Sequence, residues 1–351
     1  MDPLTHTLVG ANLAETRLGQ STRLAAAALI VGANLPDIDS ILYYTGHDDL
    51  ALGFRRSWTH GVLALLVLPI VQTALLLLWA KLRPHPRITR PWVLLGLSFF
   101  AILTHPFLDW LNNYGMRWLM PFRGTWSYGD SVYIMDPFLW LVLGCGWLAT
   151  RRPNLRLIAL WLIVSLLLAY IVSRRAPEYF GVIVAVAVIL LGALLWRPKD
   201  NIRRIAAVAS IVAFAYIGAR LTIHAMTVAE VRRALPGQAL RLMASPHPID
   251  PRRWDVVAQI GDHYRYGRYT WATRKLTLAP EQIPVAKDSP EWRAAQRDPS
   301  IRGFMTWVRF PWYRIERSAN ETRMFIHDAR YLVRTRRGGF GGVEIVLPPL
   351  Q

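Results

Sequence analysis

Apolar residues come in long runs up to about residue 225 of this chain and in short, broken runs after it. A helix that crosses the hydrocarbon core of a bilayer, about 30 Å thick, needs about 20 apolar residues. Gly61–Ala80 meets that length without a charge, and Trp92–Leu111 meets it with His105 and Asp109 inside. Leu155–Ser173, Tyr179–Trp196 and Ile205–Thr222 follow, the last carrying Arg220. Leu24–Tyr43, interrupted by Asp37 and Asp39, and Ile134–Thr150, opening with Asp136, bring the expected spans to seven. Leu4–Ala14 is too short to cross and lacks the basic start of a signal peptide. It is expected as a short helix packed among the others, with His6 in it.

The texture changes beyond residue 226. Trp254–Ile260, Tyr264–Thr273, Phe304–Phe310, Met324–Ile326 and Val343–Leu347 are short runs rich in β-branched and aromatic residues. Gly, Pro and Asp punctuate them, the pattern of strands and turns. The expected fold is mainly α: a polytopic helical membrane domain over residues 1–225, then a β-rich or α+β soluble domain over 226–351.

Composition sharpens this picture. Of 351 residues, 53% are hydrophobic and 18% charged, below the ~25% of soluble domains, yet the net charge is +18. So apolar a chain is not disordered, and its single cysteine, Cys145, excludes an internal disulfide. The positive charge marks the loops. Eleven Lys and Arg fall in loops 81–91, 151–156 and 197–204, against six on the other side at Arg55, Arg56, Arg117, Arg123, Arg174 and Arg175. The richer side is expected to be cytoplasmic, which with seven spans puts the C-terminal domain outside. Trp58, Trp92, Trp110, Trp118 and Trp196 near span ends fit an interfacial belt. The basic charge is spread along the chain with no nucleic-acid module. The expected partner is therefore the lipid bilayer, and no specific nucleic-acid binding is expected.

Ionisable residues within spans are costly and mark function by default. Once the spans alternate, Asp37, Asp39, His60, His105, Asp109 and Asp136 gather at one membrane face. In LPDIDS, a helix that ends after Pro36 aims Asp37 and Asp39 at one cation. In THPFLD, His105 and Asp109 stand four apart, on one helical face. Imidazole with carboxylate suits zinc, with iron and manganese as neighbours. The single histidines His6 in THT and His60 in SWTH add to the set. Asp37 and His105 are the candidates for catalytic roles. Arg55, Arg56, Arg117 and Arg123 lie on the same side, and guanidinium matches phosphate. They are candidates for substrate or headgroup contact, with anchoring to lipid phosphate as the plainer reading.

The ordered motifs DPLTHTLVG, LPDID, SWTHG and THPFLDWLNNYG resemble the YdjM-like family over about residues 1–140. That family is described as LexA-binding, inner-membrane-associated and metal-dependent hydrolases, distantly related to zinc-dependent phospholipase C and zinc nucleases. The resemblance implies His6, Asp37, Asp39, His60, His105 and Asp109 as ligands, with Asp130 and Asp136 in a looser region. It also implies a multi-pass protein of the bacterial inner membrane. One departure is Gly61, where many members carry Ser after the motif histidine. The function expected is a membrane-embedded, metal-dependent hydrolase holding two or three divalent ions, zinc first, and acting on a phosphoester such as a phospholipid or lipid-linked phosphate. An ion-coupled transporter and a non-catalytic membrane scaffold with a structural metal are the alternatives.

Overall fold

The computed structural model describes residues 1–150, 202–247, 250–318, 321–332 and 341–347, with positions 156, 159 and 163 as helix. The expected spans Leu155–Ser173 and Tyr179–Trp196, and Arg174 and Arg175, lie outside the described residues, apart from those three positions. The chain is mainly α with a β-rich C-terminal region, and it divides into two compact units.

The first unit comprises residues 1–38, 56–224 and 246–251. Helix α1 (Pro3–Glu15) starts on Asp2, whose carboxylate accepts from Thr5 N at 3.1 Å, with Pro3 in the first turn. It is buried almost all round, as a helix too short to span must be when it packs among others. Asn12 on its face donates to Leu143 O, 2.7 Å away in α6 (Pro137–Ala149). Helix α2 (Ala25–Gly32) gives way to a 3-10 segment, Leu35–Thr45, with a bend of 46°. Pro36 explains the break, since it has no N–H and its ring clashes with the carbonyl four residues back. Helices α4 (Val62–Leu82) and α5 (Pro91–Trp110) are tied to this frame from inside. Gln72 donates to Ala28 O at 2.8 Å, and Thr73 meets Ser98 at 3.3 Å. On the outside of α4, Leu63, Leu66, Val67 and Ile70 share one exposed face, of the kind a span turns to lipid.

Three described helices are long and apolar enough to cross a membrane: α4, α5 and α7 (Ile202–Ala234). The bent pair of α2 and the 3-10 segment makes up to four. The expected span at Ile134–Thr150 is corrected. Helix α6 has 13 residues, about 20 Å at 1.5 Å per residue, short of the membrane core.

The second unit comprises residues 39–55, 225–245 and 252–351. Strands β1 (Arg241–Pro246), β2 (Arg253–Ile260), β3 (His263–Thr270) and β4 (Lys275–Leu278) lie side by side in that order, and β5 (Ile283–Pro284) also pairs with β3. A second sheet has the order β6 (Pro311–Arg317), β7 (Thr322–Asp328), β8 (Gly342–Leu347), antiparallel throughout. The core of this unit includes Met243, Val257 and Tyr264 of the first sheet and Phe310, which leads into β6. Helix α8 (Pro290–Arg297) precedes α9 (Arg302–Trp307).

The expected strand over Phe304–Phe310 is corrected, because most of it is α9. Phe304 and Trp307, three apart, are both buried on one helical face. The Asp49 carboxylate of α3 (Asp48–Phe54) accepts from Gly303 N at 2.7 Å and Phe304 N at 2.9 Å. The two helices cross at a pair of glycines: a Cβ on Gly303 would lie 1.8 Å from Asp49 O.

Candidate metal centre

Four side chains from three segments of the first unit meet at one point. Asp37 comes from the 3-10 segment, His60 from the turn before α4, and His105 and Asp109 from one face of α5. Each offers one donor atom, all within 4.8 Å of one another. His60 Nε2 lies 3.2 Å from His105 Nε2, 3.6 Å from Asp37 Oδ1 and 3.4 Å from Asp109 Oδ2. His105 Nε2 lies 3.3 Å from Asp37 Oδ1 and 3.6 Å from Asp109 Oδ2. A tetrahedral ion with ligands at about 2.0–2.1 Å sets neighbouring donors about 3.3 Å apart. Five edges of the figure therefore match such an ion, and the donor set of two imidazoles and two carboxylates is one that zinc, iron or manganese accepts.

The imidazoles are aimed by their other nitrogens. His105 Nδ1 lies 2.7 Å from the Ala33 carbonyl oxygen, which only accepts, so Nδ1 carries the proton and Nε2 presents a lone pair. His60 Nδ1 meets the Thr59 hydroxyl at 2.9 Å. Asp109 is held from two sides. Its Oδ2 pairs with Arg56 Nε at 2.9 Å, and its Oδ1 meets His6 Nε2 at 3.3 Å and ion-pairs with the Met1 ammonium. Arg56 also donates through Nη1 to Asn112 Oδ1 at 3.0 Å and to Gly115 O at 3.3 Å, and lies over the Tyr114 ring. His6 stacks on His105 with ring centroids 3.7 Å apart. It therefore braces two members of the quartet from behind.

The other expected residues are placed elsewhere. Asp39 Oδ1 ion-pairs with Arg55 Nη1 in the second unit and is not one of the four. A 3-10 helix turns about 120° per residue, so positions two apart point to different sides. Asp136 caps α6, accepting from Phe138 N at 2.9 Å and Leu139 N at 3.1 Å, and accepts from the Tyr216 hydroxyl at 2.9 Å. Asp130 is buried in an irregular segment with φ of 46°. Arg117 is buried with its guanidinium 4.8 Å from the centre of the Trp126 ring, and Arg123 is exposed, its Nε donating to Thr125 Oγ1 at 2.9 Å. The sequence offered Arg56 as a phosphate contact. Its position three residues before a helix-opening turn gave no sign that it holds Asp109.

Gly61 has a physical reason. A Cβ there would lie 2.4 Å from Met120 O. The loop over residues 116–127 passes so close that Val62 N donates to Trp118 O at 2.8 Å.

Among curated proteins the chain is similar to YfhP of Bacillus subtilis (strain 168), itself uncharacterized, with 26% identity over 195 residues. That stretch is 51% of this chain, and the match spans 58% of the length of YfhP. No solved structure matches the chain. The YdjM inner membrane protein family model matches residues 1–177, half of the chain and the whole metal-ligand quartet. Together with the apolar helices α4, α5 and α7, this establishes a membrane protein, and the chain belongs to the YdjM inner membrane protein family.

Proposed function

We propose that this protein is a membrane-embedded, metal-dependent hydrolase acting on a phosphoester such as a phospholipid or a lipid-linked phosphate, with zinc as its metal. The observation that carries this reading is the graded exposure of the quartet. The side chains of His60, His105 and Asp109 are 0%, 0% and 1% exposed, and that of Asp37 is 13% exposed. Catalytic zinc sites keep three protein ligands and one open position, whereas structural sites close all four. The three fully buried side chains suit the holding role, and Asp37 is the one member whose side chain reaches partly to the surface, with its Oδ1 turned inward to the imidazoles.

A divalent ion held there supplies a Lewis acid for phosphoryl oxygen and lowers the pKa of water at the site. Asp37 Oδ1 takes the proton from the attacking water as its oxygen bonds to phosphorus. The ester P–O bond breaks, and the leaving alkoxide oxygen takes that proton from Asp37, which returns to its carboxylate form. Arg56 and His6 keep Asp109 oriented, and the Ala33 carbonyl keeps His105 in the tautomer that presents Nε2. Placement in a bacterial inner membrane with the C-terminal domain outside the cytoplasm belongs to the same proposal. Incubating the full chain with phospholipid vesicles and measuring released headgroup or phosphate tests it. Zinc-dependent release supports the reading, and none over a range of lipid phosphoesters contradicts it.

One observation favours a second reading. Because Asp37 Oδ1 sits at tetrahedral spacing from both imidazoles, it also suits a fourth ligand in a closed, structural site that ties α5, the turn before α4 and the 3-10 segment together.

A further inference from the structure

The loop over residues 116–127 is closed by a bridge between Met116 and Ser127 and held against the ends of two membrane helices. At the start of α4, Val62 N donates to Trp118 O at 2.8 Å. At the end of α5, Trp110 Nε1 donates to Ser127 Oγ at 2.9 Å, and Gly129 N donates to Trp110 O at 2.7 Å. The start of one span and the end of the next mark one boundary of the bilayer, so these bonds fix the loop at that boundary. Its outer residues are large, apolar and exposed: Leu119 at 51% and Phe122 at 79%. Arg123 follows them, also exposed. Leu119 and Phe122 together give the loop an apolar tip. At a bilayer boundary, the same arrangement puts apolar groups in the acyl region and a guanidinium at phosphate level.

We propose that this loop is a lipid-docking element, with Leu119 and Phe122 inserted at the headgroup–acyl boundary and Arg123 bound to the phosphate of an anionic phospholipid. It rests on the membrane reading of α4 and α5, not on the chemistry of the metal centre. The two are neighbours all the same: Met120 O is the atom that a Cβ on Gly61, next to His60, would strike. The loop therefore packs directly against the turn that carries His60.

The test uses the full chain with Cys145→Ala and Phe122→Cys, carrying an environment-sensitive fluorophore at residue 122. The protein is reconstituted into phosphatidylcholine vesicles with or without phosphatidylglycerol. A matching label at the exposed Arg297 of α8 is the control. The proposal expects several-fold stronger quenching at residue 122 than at 297 by lipids spin-labelled near the headgroup, and weaker quenching by aqueous iodide. It also expects phosphatidylglycerol to blue-shift the label, and Arg123→Gln to remove that shift. Equal quenching at the two positions overturns insertion, and a shift that survives Arg123→Gln overturns the phosphate contact. Metal content measured on the same samples separates the ideas. An unquenched label in metal-loaded protein defeats the loop alone, and a quenched label in protein that binds no metal defeats the metal centre alone.

Discussion

His60 and His105 face each other nitrogen to nitrogen, with Nε2 and Nε2 3.2 Å apart and both side chains fully buried. The Ala33 carbonyl accepts the hydrogen bond from His105 Nδ1–H, so His105 Nε2 offers only a lone pair. Turning a second imidazole nitrogen toward it inside the protein is favourable only when a proton or a cation lies between them. Asp37 Oδ1 and Asp109 Oδ2 complete the set at similar distances. A divalent ion at their centre meets two imidazole lone pairs and two carboxylate oxygens, with Arg56 and the Met1 ammonium sharing the charge of Asp109.

Asp37 separates the two readings of the site. With Asp37→Asn, the hydrolase reading expects the ion to stay on His60, His105 and Asp109 while turnover falls by about 10²–10⁴-fold, as when a general base is removed. A structural site expects the ion and the folded state to be lost together. Metal content and phosphoester release measured on the same preparation distinguish these outcomes.

Arg56 is a positioning residue. Its fork joins Asp109 to Asn112 and Gly115, a planar arrangement that a lysine does not reproduce. Arg56→Lys is expected to weaken metal binding by about 10–100-fold, the usual cost of losing the partner of a ligand. Metal titration against a chromophoric chelator checks this, and unchanged affinity would mean that Asp109 holds itself in place.

At Gly61 the clash with Met120 O involves backbone, so no side-chain rotation relieves it. Gly61→Ser is expected to push the 116–127 loop away and cost about 1–3 kcal/mol, as overpacking does. A lowered thermal midpoint checks it. The resemblance to family members with Ser at this position implies that their loop stands further off.

His327 gives the C-terminal domain a pH dependence. Burial and then the nearby Arg314 charge hold its imidazole below the ordinary histidine range, which lies near 6.5. The unfolded chain therefore takes up a proton at a pH where the folded domain does not. This contribution is full above about pH 6.5 and is lost as pH falls from there toward the lower folded value. His327→Gln should flatten that part of the thermal-midpoint profile, and an unaltered slope would assign the effect elsewhere.

The quartet itself was legible because its members sit in or beside apolar runs, where a charge is conspicuous. What misled the eye was local geometry. Asp37 and Asp39 look paired in LPDID, but a 3-10 turn drives them apart, and Arg55 takes the second. Asp136 precedes a proline at a helix start, the position of an N-cap, and it caps α6. Most of the expected strands were sound, because Val, Ile, Tyr and Trp, the strand-favouring types, crowd Arg253–Ile260 and His263–Thr270. Phe304–Phe310 was not, since a short apolar run reads equally as helix or strand and only the distant Asp49 cap decides it. The tie of Arg56 to Asp109 spans 53 positions and leaves no local trace.

The most direct test is elemental analysis of the full chain purified in detergent, alongside His60→Ala and His105→Ala. The metal-centre account predicts about one tightly held divalent ion per chain, zinc foremost, bound by nitrogen and oxygen at about 2.0–2.1 Å in X-ray absorption and lost in both variants. Wild-type protein that is folded and membrane-competent yet binds no divalent ion, or variants that keep the ion in full, would contradict it.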